Sequence, residues 1–444
     1  MSTFQILPPP TCKGMTVLDT EAFRTVTPVV AVMIKNPRML SKLSKECPPN
    51  DLLQVTKFPT VFDENGKRFL VLSTRFKEIS DTANGLDPKT YELLEEAGYE
   101  FFKTEIVTTY KYWTSEEVLR AVLPDDLSDV PNSFSMVGHI AHLNLRDQFL
   151  PYKHLIGQVI IDKNPSIKTV VRKLDSINTT FRTFDMEVIA GEELFEVEQA
   201  ESGCRFQFDF RKVYWNSRLH TEHERLVKLF GKGKAICDPF SGVGPFAIPA
   251  AKHDNLVFAS DLNPESYKAM VKNSKLNKVN PEMLHCYNED AREFIKTSIK
   301  KLHELRKQTP TIVLPPKGKS KKKNVEQPQK FDVPEYYSHY VMNLPASAIE
   351  FLDAFRGIYK DVQFTSPPPQ PLAHVHCFHK FDPHLPEPTK GEVYEAICSR
   401  ISDSMGYKIS PSDLTLHDVR RVAPSKDMYE ASFLVPNAVL YDEV

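Results

Sequence analysis

Glycine is scarce in this chain, at 16 of 444 residues, about half the roughly 7% usual for globular proteins. That shortage excludes a collagen-like or glycine-rich repetitive chain. The seven cysteines are widely spaced and form no C-x-x-C pair. Neither a disulfide framework nor a zinc site is therefore expected, and a reducing compartment is. No apolar run reaches the roughly 18 residues of a membrane span. Met1 to Pro10 has neither the basic start nor the apolar stretch of a secretory signal. The first residues carry no acid before Asp19 but are not arginine-rich. Cytoplasm and nucleus are the expected locations, and a mitochondrial pool would lack a clear presequence. There is no internal repeat and no sign of an obligate assembly, so a monomer is expected.

What is present is ordinary for a soluble protein: 41% hydrophobic, 26% charged and 10% aromatic residues. This length suggests two or three domains with their own cores. The net charge of −2 hides an uneven distribution. Lys296 to Lys330 holds eleven Lys or Arg against Glu304 and Glu326, a local +9, so the remainder carries −11. The run Lys317-Gly-Lys-Ser-Lys-Lys-Lys323 lies among prolines and reads as a mobile loop within a basic insertion at about 310–335. Such a loop is either simply solvated, a nuclear-targeting element or a phosphate contact.

The pattern divides the chain into three zones. Residues 1–127 mix strand-like runs (Val29 to Ile34, Phe69 to Leu72) with helices at Pro88 to Ala97 and from Ser115 to near Pro124. Residues 128–205 start with a turn-rich linker and continue as a small α+β region, in which Leu155 to Ile161 fits a short helix or a buried strand. Residues 206–444 alternate strand and helix: strands at 235–237, 256–260, 283–286, 340–342 and 372–378, and helices at 246–252, 264–276, 291–306 and 346–355. Repeated units of this length predict a doubly wound α/β sheet.

Four of the sixteen glycines fall between Gly231 and Gly244. Gly231 and Gly233 are expected to end the helix before the first strand. Gly242-Val-Gly244-Pro-Phe-Ala247 matches G-x-G-x-x-G/A between a strand and a helix, where glycine permits a tight turn and close approach of a ligand. Alone, that motif suits a dinucleotide site or a structural turn. Its neighbours separate the readings. Asp238 ends the first strand, where it would repel a pyrophosphate and favour the cationic sulfonium and amino groups of S-adenosylmethionine. Asp261, followed by Leu262, ends the second strand and can hold ribose hydroxyls. Asp290, followed by Ala291, ends the third and can accept from an adenine amino group. Asn343-Leu-Pro345 ends the fourth and is similar to the Asn-Pro-Pro loops of enzymes that methylate exocyclic amines of bases. Each acid singly would also serve as an N-cap; four polar strand ends along one edge make a ligand crevice.

Together these residues resemble the eukaryotic and archaeal tRNA (guanine-N1-)methyltransferases that modify guanosine 37, beside the anticodon. The resemblance runs through Phe210–Leu226, Asp238–Phe246, Ser260–Ser266 and Asn343–Pro345, with Val137–Asn144 and Phe181–Phe184 upstream. It implies a Rossmann-type class I methyltransferase domain, preceded by a small tRNA-recognising α+β domain and an α+β middle domain. It also implies S-adenosylmethionine as cofactor and tRNA with G37 as partner. By the same resemblance Glu222 is the general base for the N1 proton and Arg182 stabilises charge growing on O6. Tyr214 and Arg218 line that site with Asn343 and Pro345, and His223 lies beside the methyl donor together with Gly242 and Gly244. The residues alone do not single out Glu222 or Arg182: Glu222 sits in a charged, helical segment and reads as a surface ion pair, and Arg182 as one arginine among many. Three competing readings remain: an aminocarboxypropyl transferase of the wybutosine pathway, an NAD-dependent dehydrogenase and a non-catalytic RNA-binding protein.

Overall fold

The computed structural model describes residues 9–55, 57–127, 129–177, 181, 183–314 and 329–443. Arg182 and the Lys317 to Lys323 run lie outside the described residues. The chain divides into two compact units: Met1–Phe134, Leu143–Arg172 and Val188–Glu192 form one, and Ser135–His142, Lys173–Glu187 and Glu193–Val444 the other.

In the first unit, Thr25–Ile34 and Tyr99–Thr108 pair antiparallel over ten residues, from Thr25 opposite Thr108 to Ile34 opposite Tyr99. Lys67–Val71 and Val61–Glu64 extend the sheet on the other side. The alternation of Val30, Val32 and Ile34 turns these side chains to one face, where they pack with Leu43, Phe76 and Leu94. The helix Pro88–Ala97 starts where expected, because the Asp87 side chain accepts from the Lys89 N–H (2.9 Å) and Pro88 occupies the first position. Ser115–Val122 begins at a capping box made by Thr114 and Glu117. The ambiguous run 155–161 lies within a helix, Lys153–Lys163. Its buried residues Leu155, Ile156, Val159 and Ile160 recur at helical spacing.

The second unit contains α1 (His220–Leu229), β1 (Ala235–Asp238), α2 (Ala247–Lys252), β2 (Leu256–Ser260), α3 (Pro264–Leu276), β3 (Leu284–Tyr287), α4 (Ala291–Gln308), β4 (His339–Met342), β5 (Leu372–Lys380), α5 (Lys390–Met405), β6 (Thr415–Ala423) and β7 (Lys426–Leu434). The strands form one sheet of order β3-β2-β1-β4-β5-β7-β6. The first five run parallel, whereas β7 is antiparallel to both β5 and β6. Strands β1, β2 and β4 are buried at every residue. They are therefore short apolar runs without period-two alternation, as expected of a parallel sheet covered on both faces. The chain order reverses between β1 and β4, which opens a crevice at the carboxyl ends of those strands. The hairpin Glu196–Glu201/Cys204–Asp209 does alternate: Cys204, Phe206 and Phe208 are buried while Arg205 is exposed.

Several expectations need correction. The segment expected as a helix at 346–355 is a 3-10 helix, Ala348–Phe355. The basic insertion is not a loop from end to end, because Thr311–Leu314 and Gln329–Asp332 pair as an antiparallel hairpin. Strand β6 escaped sequence reading because it is a polar edge strand, Thr-Leu-His-Asp-Val-Arg-Arg-Val-Ala, with no buried residue.

Candidate active site

The carboxyl ends of β1 to β4 border a cavity of about 380 Å³. Its floor is the glycine turn. Gly242 has φ +54 and donates its N–H to Asp261 Oδ2 at 2.8 Å, while Asp261 Oδ1 accepts from the Asn263 N–H at 2.9 Å. Both oxygens are thus fixed by backbone and keep lone pairs for a ligand. Gly244 has φ +96, and a Cβ there would lie 2.8 Å from Ile248 Cδ1, so this glycine serves the packing of the turn on α2. Leu262, Asp290, Ala291, Asn343 and Pro345 also line the cavity. Asp290 is at the same time the N-cap of α4, accepting from the Arg292 N–H at 2.9 Å. The N-cap of α3 is Asn263, which leaves Asp261 to face the cavity. Aromatic walls complete the space: Phe240 packs edge-on to Phe351 (centroids 5.0 Å, 87°), and His223 edge-on to Phe246 (4.7 Å, 79°). His223 lines the cavity and its Nδ1 pairs with the Glu201 carboxylate.

Asp238 is placed differently from the expectation. It is fully buried beneath the turn and is not part of the cavity wall. Burial pushes its carboxyl well above the ordinary range, the Phe240 N–H opposes this, and Asp261 reinforces it. Burial also raises Asp261, against its two backbone N–H bonds. Among the described residues, Asp238 Oδ2 and Asn343 Oδ1 are buried with no hydrogen-bond partner. Asp261 and Asp290 on the wall, with unspent acceptors and aromatic rings around them, suit a cationic, adenine-bearing ligand such as S-adenosylmethionine better than a pyrophosphate. Among the described residues no group of three or more metal-binding side chains gathers.

A second cavity of about 290 Å³ adjoins the first. The two share Tyr214, Trp215, Asn216, Asn343, Pro345 and Phe378, among others. Tyr214, 44% exposed, stands at their common wall. Arg218 lines the second cavity and donates to Ser135 Oγ at 3.1 Å.

Glu222 lines neither cavity. It is 3% exposed in the first turn of α1, and its carboxylate accepts two hydrogen bonds from Arg225 (2.7 and 2.8 Å) and one from His376 Nε2 (2.9 Å). Arg225 also donates to Glu430 at 2.9 Å. Burial acts to raise the Glu222 carboxyl, but the Arg225 and His376 bonds prevail and hold it at about 2. The charged pattern Glu-His-Glu-Arg concealed a buried network behind what reads as a solvated face. Its partners His376 and Glu430 come from β5 and β7, more than a hundred residues away.

Comparison with known proteins shows the family and the fold. The TRM5/TYW2 methyltransferase domain family matches residues 197–304 and the TYW2 N-terminal domain family residues 115–194. A tRNA (guanine(37)-N(1))-methyltransferase of Schizosaccharomyces pombe is 44% identical, covering 96% of this chain and 94% of its own. Its namesakes from Yarrowia lipolytica (42%, 98% and 92%) and Saccharomyces cerevisiae (42%, 96% and 94%) match over similar lengths. The chain belongs to this family. Solved structures share the fold: Trm5b from Pyrococcus abyssi has a TM-score of 0.54 at 22% identity, covering 92% of this chain and 99% of that one. A Trm5 in complex with tRNALeu has a TM-score of 0.57 at 18% identity, covering 92% and 99%.

Sequence reading missed several wall residues. Asn216, Phe240, Phe351 and Phe378 line the first cavity, and Lys173 and Arg420 the second. Phe240 was within reach, since it sits inside the quoted Asp238–Phe246 stretch. Lys173 and Arg420 carry no local signal and meet only in the folded chain.

Proposed function

We propose that this protein transfers the methyl group of S-adenosylmethionine to N1 of guanosine 37 in the tRNA anticodon loop. The observation that carries the reading is the common wall of Tyr214, Asn343 and Pro345 between a cavity of about 380 Å³ and a second of about 290 Å³. Asp261, Asp290 and the Gly242 turn hold the adenosine end, and His223 with Phe246 closes the opposite side. The cofactor supplies an electrophilic methyl on sulfur. The protein's share is to aim a flipped guanine at it, exclude water and take the N1 proton. Asn343 Oδ1, buried and without a hydrogen-bond partner among the described residues, is suited to accept from the planar N–H edge of a guanine. Glu222 is assigned as the base through resemblance. Held at about 2 by Arg225 and His376, it is a poor proton acceptor. This reading requires that substrate binding exchange those partners for the guanine N1–H. Arg182 is proposed to stabilise O6, and residues 1–127 to form the tRNA-recognising part.

The test uses labelled S-adenosylmethionine, a tRNA transcript with G37 and a G37→A control. Label is expected in the first alone, with a mass increase of one methyl group. Equal labelling of both transcripts sinks the assignment, and an aminocarboxypropyl mass would select the wybutosine-pathway alternative.

A further inference from the structure

The second cavity has an unusual charge. Lys173, Arg218 and Arg420 all line it, and among the described residues no Asp or Glu does. Lys173 comes from the strand Thr169–Ile177, Arg218 from the turn before α1, and Arg420 from the edge strand β6. Among the described residues none of the three has an ion pair: the Lys173 ammonium stands 4.0 Å over the Phe184 ring, Arg218 donates to Ser135 Oγ, and Arg420 Nε donates to the Arg421 carbonyl at 3.2 Å. Burial lowers both Lys173 and Arg420, and the charge of Arg218 lowers them further, so the cations repel one another across a partly desolvated space. His142, on the same wall, is pushed down to about 4 by burial and by Lys173 and Arg218, and is neutral at pH 7. Three permanent cations in a chain of net charge −2 stay together against their repulsion only at a cost, which an anionic ligand removes. The flanking aromatic rings of Phe184, Tyr214 and Phe378 are surfaces on which a base can stack.

We propose that Lys173, Arg218 and Arg420 form a phosphate-binding subsite that seats the backbone phosphate adjoining the target nucleotide. The proposal rests on the function given above and extends it by naming what orients the flipped nucleotide. Lys173 acts as a point charge, whereas Arg218 and Arg420 offer planar forks that match phosphate oxygens. These contacts position the substrate and carry no sequence information, so they act on every tRNA alike.

The experiment compares wild type with Lys173→Gln, Arg420→Gln and Arg420→Lys as full-length proteins, using a G37 tRNA transcript. S-adenosylmethionine affinity is measured by calorimetry, transcript affinity across a KCl series, and methyl transfer by product mass. Both glutamine variants are expected to keep cofactor affinity within about twofold and to weaken transcript binding by roughly tenfold or more. The slope of log affinity against log salt should flatten by about 0.7 for each lost phosphate contact. Arg420→Lys should retain the wild-type slope because it keeps the charge. Unchanged slopes in both glutamine variants overturn the subsite while wild-type methylation of G37 leaves the function intact. Loss of cofactor affinity in both glutamine variants also overturns it, by making the cations structural. Flattened slopes with no wild-type methyl transfer to G37 would instead keep the phosphate subsite and remove the proposed reaction.

Discussion

The carboxylate of Asp261 is half committed to the protein and half free, and that division suits it to hold a ligand in the cavity, the N-cap of α3 being Asn263. Its oxygens take the Gly242 and Asn263 N–H groups, which fix its orientation at the cavity floor. Asp261→Asn puts an amide NH₂ against one of those N–H donors and weakens the bond to a ligand hydroxyl. Calorimetry is expected to show S-adenosylmethionine affinity lower by roughly tenfold or more. Glu222 behaves differently because its partners are charged. Glu222→Gln should cut single-turnover methylation strongly with cofactor affinity nearly intact; unchanged chemistry would remove it as the base. The same residue predicts a pH effect on stability. Its folded value of about 2 lies below the ordinary 4.5, so its contribution is complete above the ordinary value and is lost as pH falls towards 2. Thermal unfolding should show Glu222→Gln less stable than wild type by about 3 kcal/mol near neutrality. That gap should narrow steadily as pH falls from about 5 to about 2.

At the level of elements, the strand–turn–helix around Gly244 carries the site. A residue with a Cβ there must hold φ +96 and press on Ile248 Cδ1 at 2.8 Å. Gly244→Ala is expected to destabilise the fold by about 1–3 kcal/mol, read as a lowered Tm. It should also displace the Gly242 N–H from Asp261, so cofactor affinity falls in the same variant. Helix α3 and helix α4 were legible from their Asn263-Pro264 and Asp290 starts because capping is a local interaction. The 3-10 character of Ala348–Phe355 was not, since its apolar run fits either helix and tertiary packing chooses.

Across the whole molecule, ligand selectivity follows from where acids and cations collect. Asp261 and Asp290 line the first cavity, Asp238 lies buried near Asp261 outside its wall, and Lys173, Arg218 and Arg420 line the neighbouring cavity. Saturating S-adenosylmethionine should therefore raise Tm, at about 2.7 kcal/mol for a concentration one hundred times Kd. NAD should leave Tm unchanged, because its pyrophosphate would meet the acids Asp261 and Asp290 on the cavity wall. A rise with NAD would return the dehydrogenase reading.

The amino-acid sequence by itself determined the parallel core, the glycine turn, the polar ends of four successive strands and, through resemblance, the family. These are features of local spacing: strand and helix periods, caps and turns express themselves within a few residues. Only the tertiary structure decided which side chains share a space. It buried Asp238, tied Glu222 to His376 and, through Arg225, to Glu430, and gathered three cations from distant segments into one cavity that no acid among the described residues lines. Burial and charge proximity set those properties. Both arise from contacts between segments far apart in the chain, which no local pattern encodes.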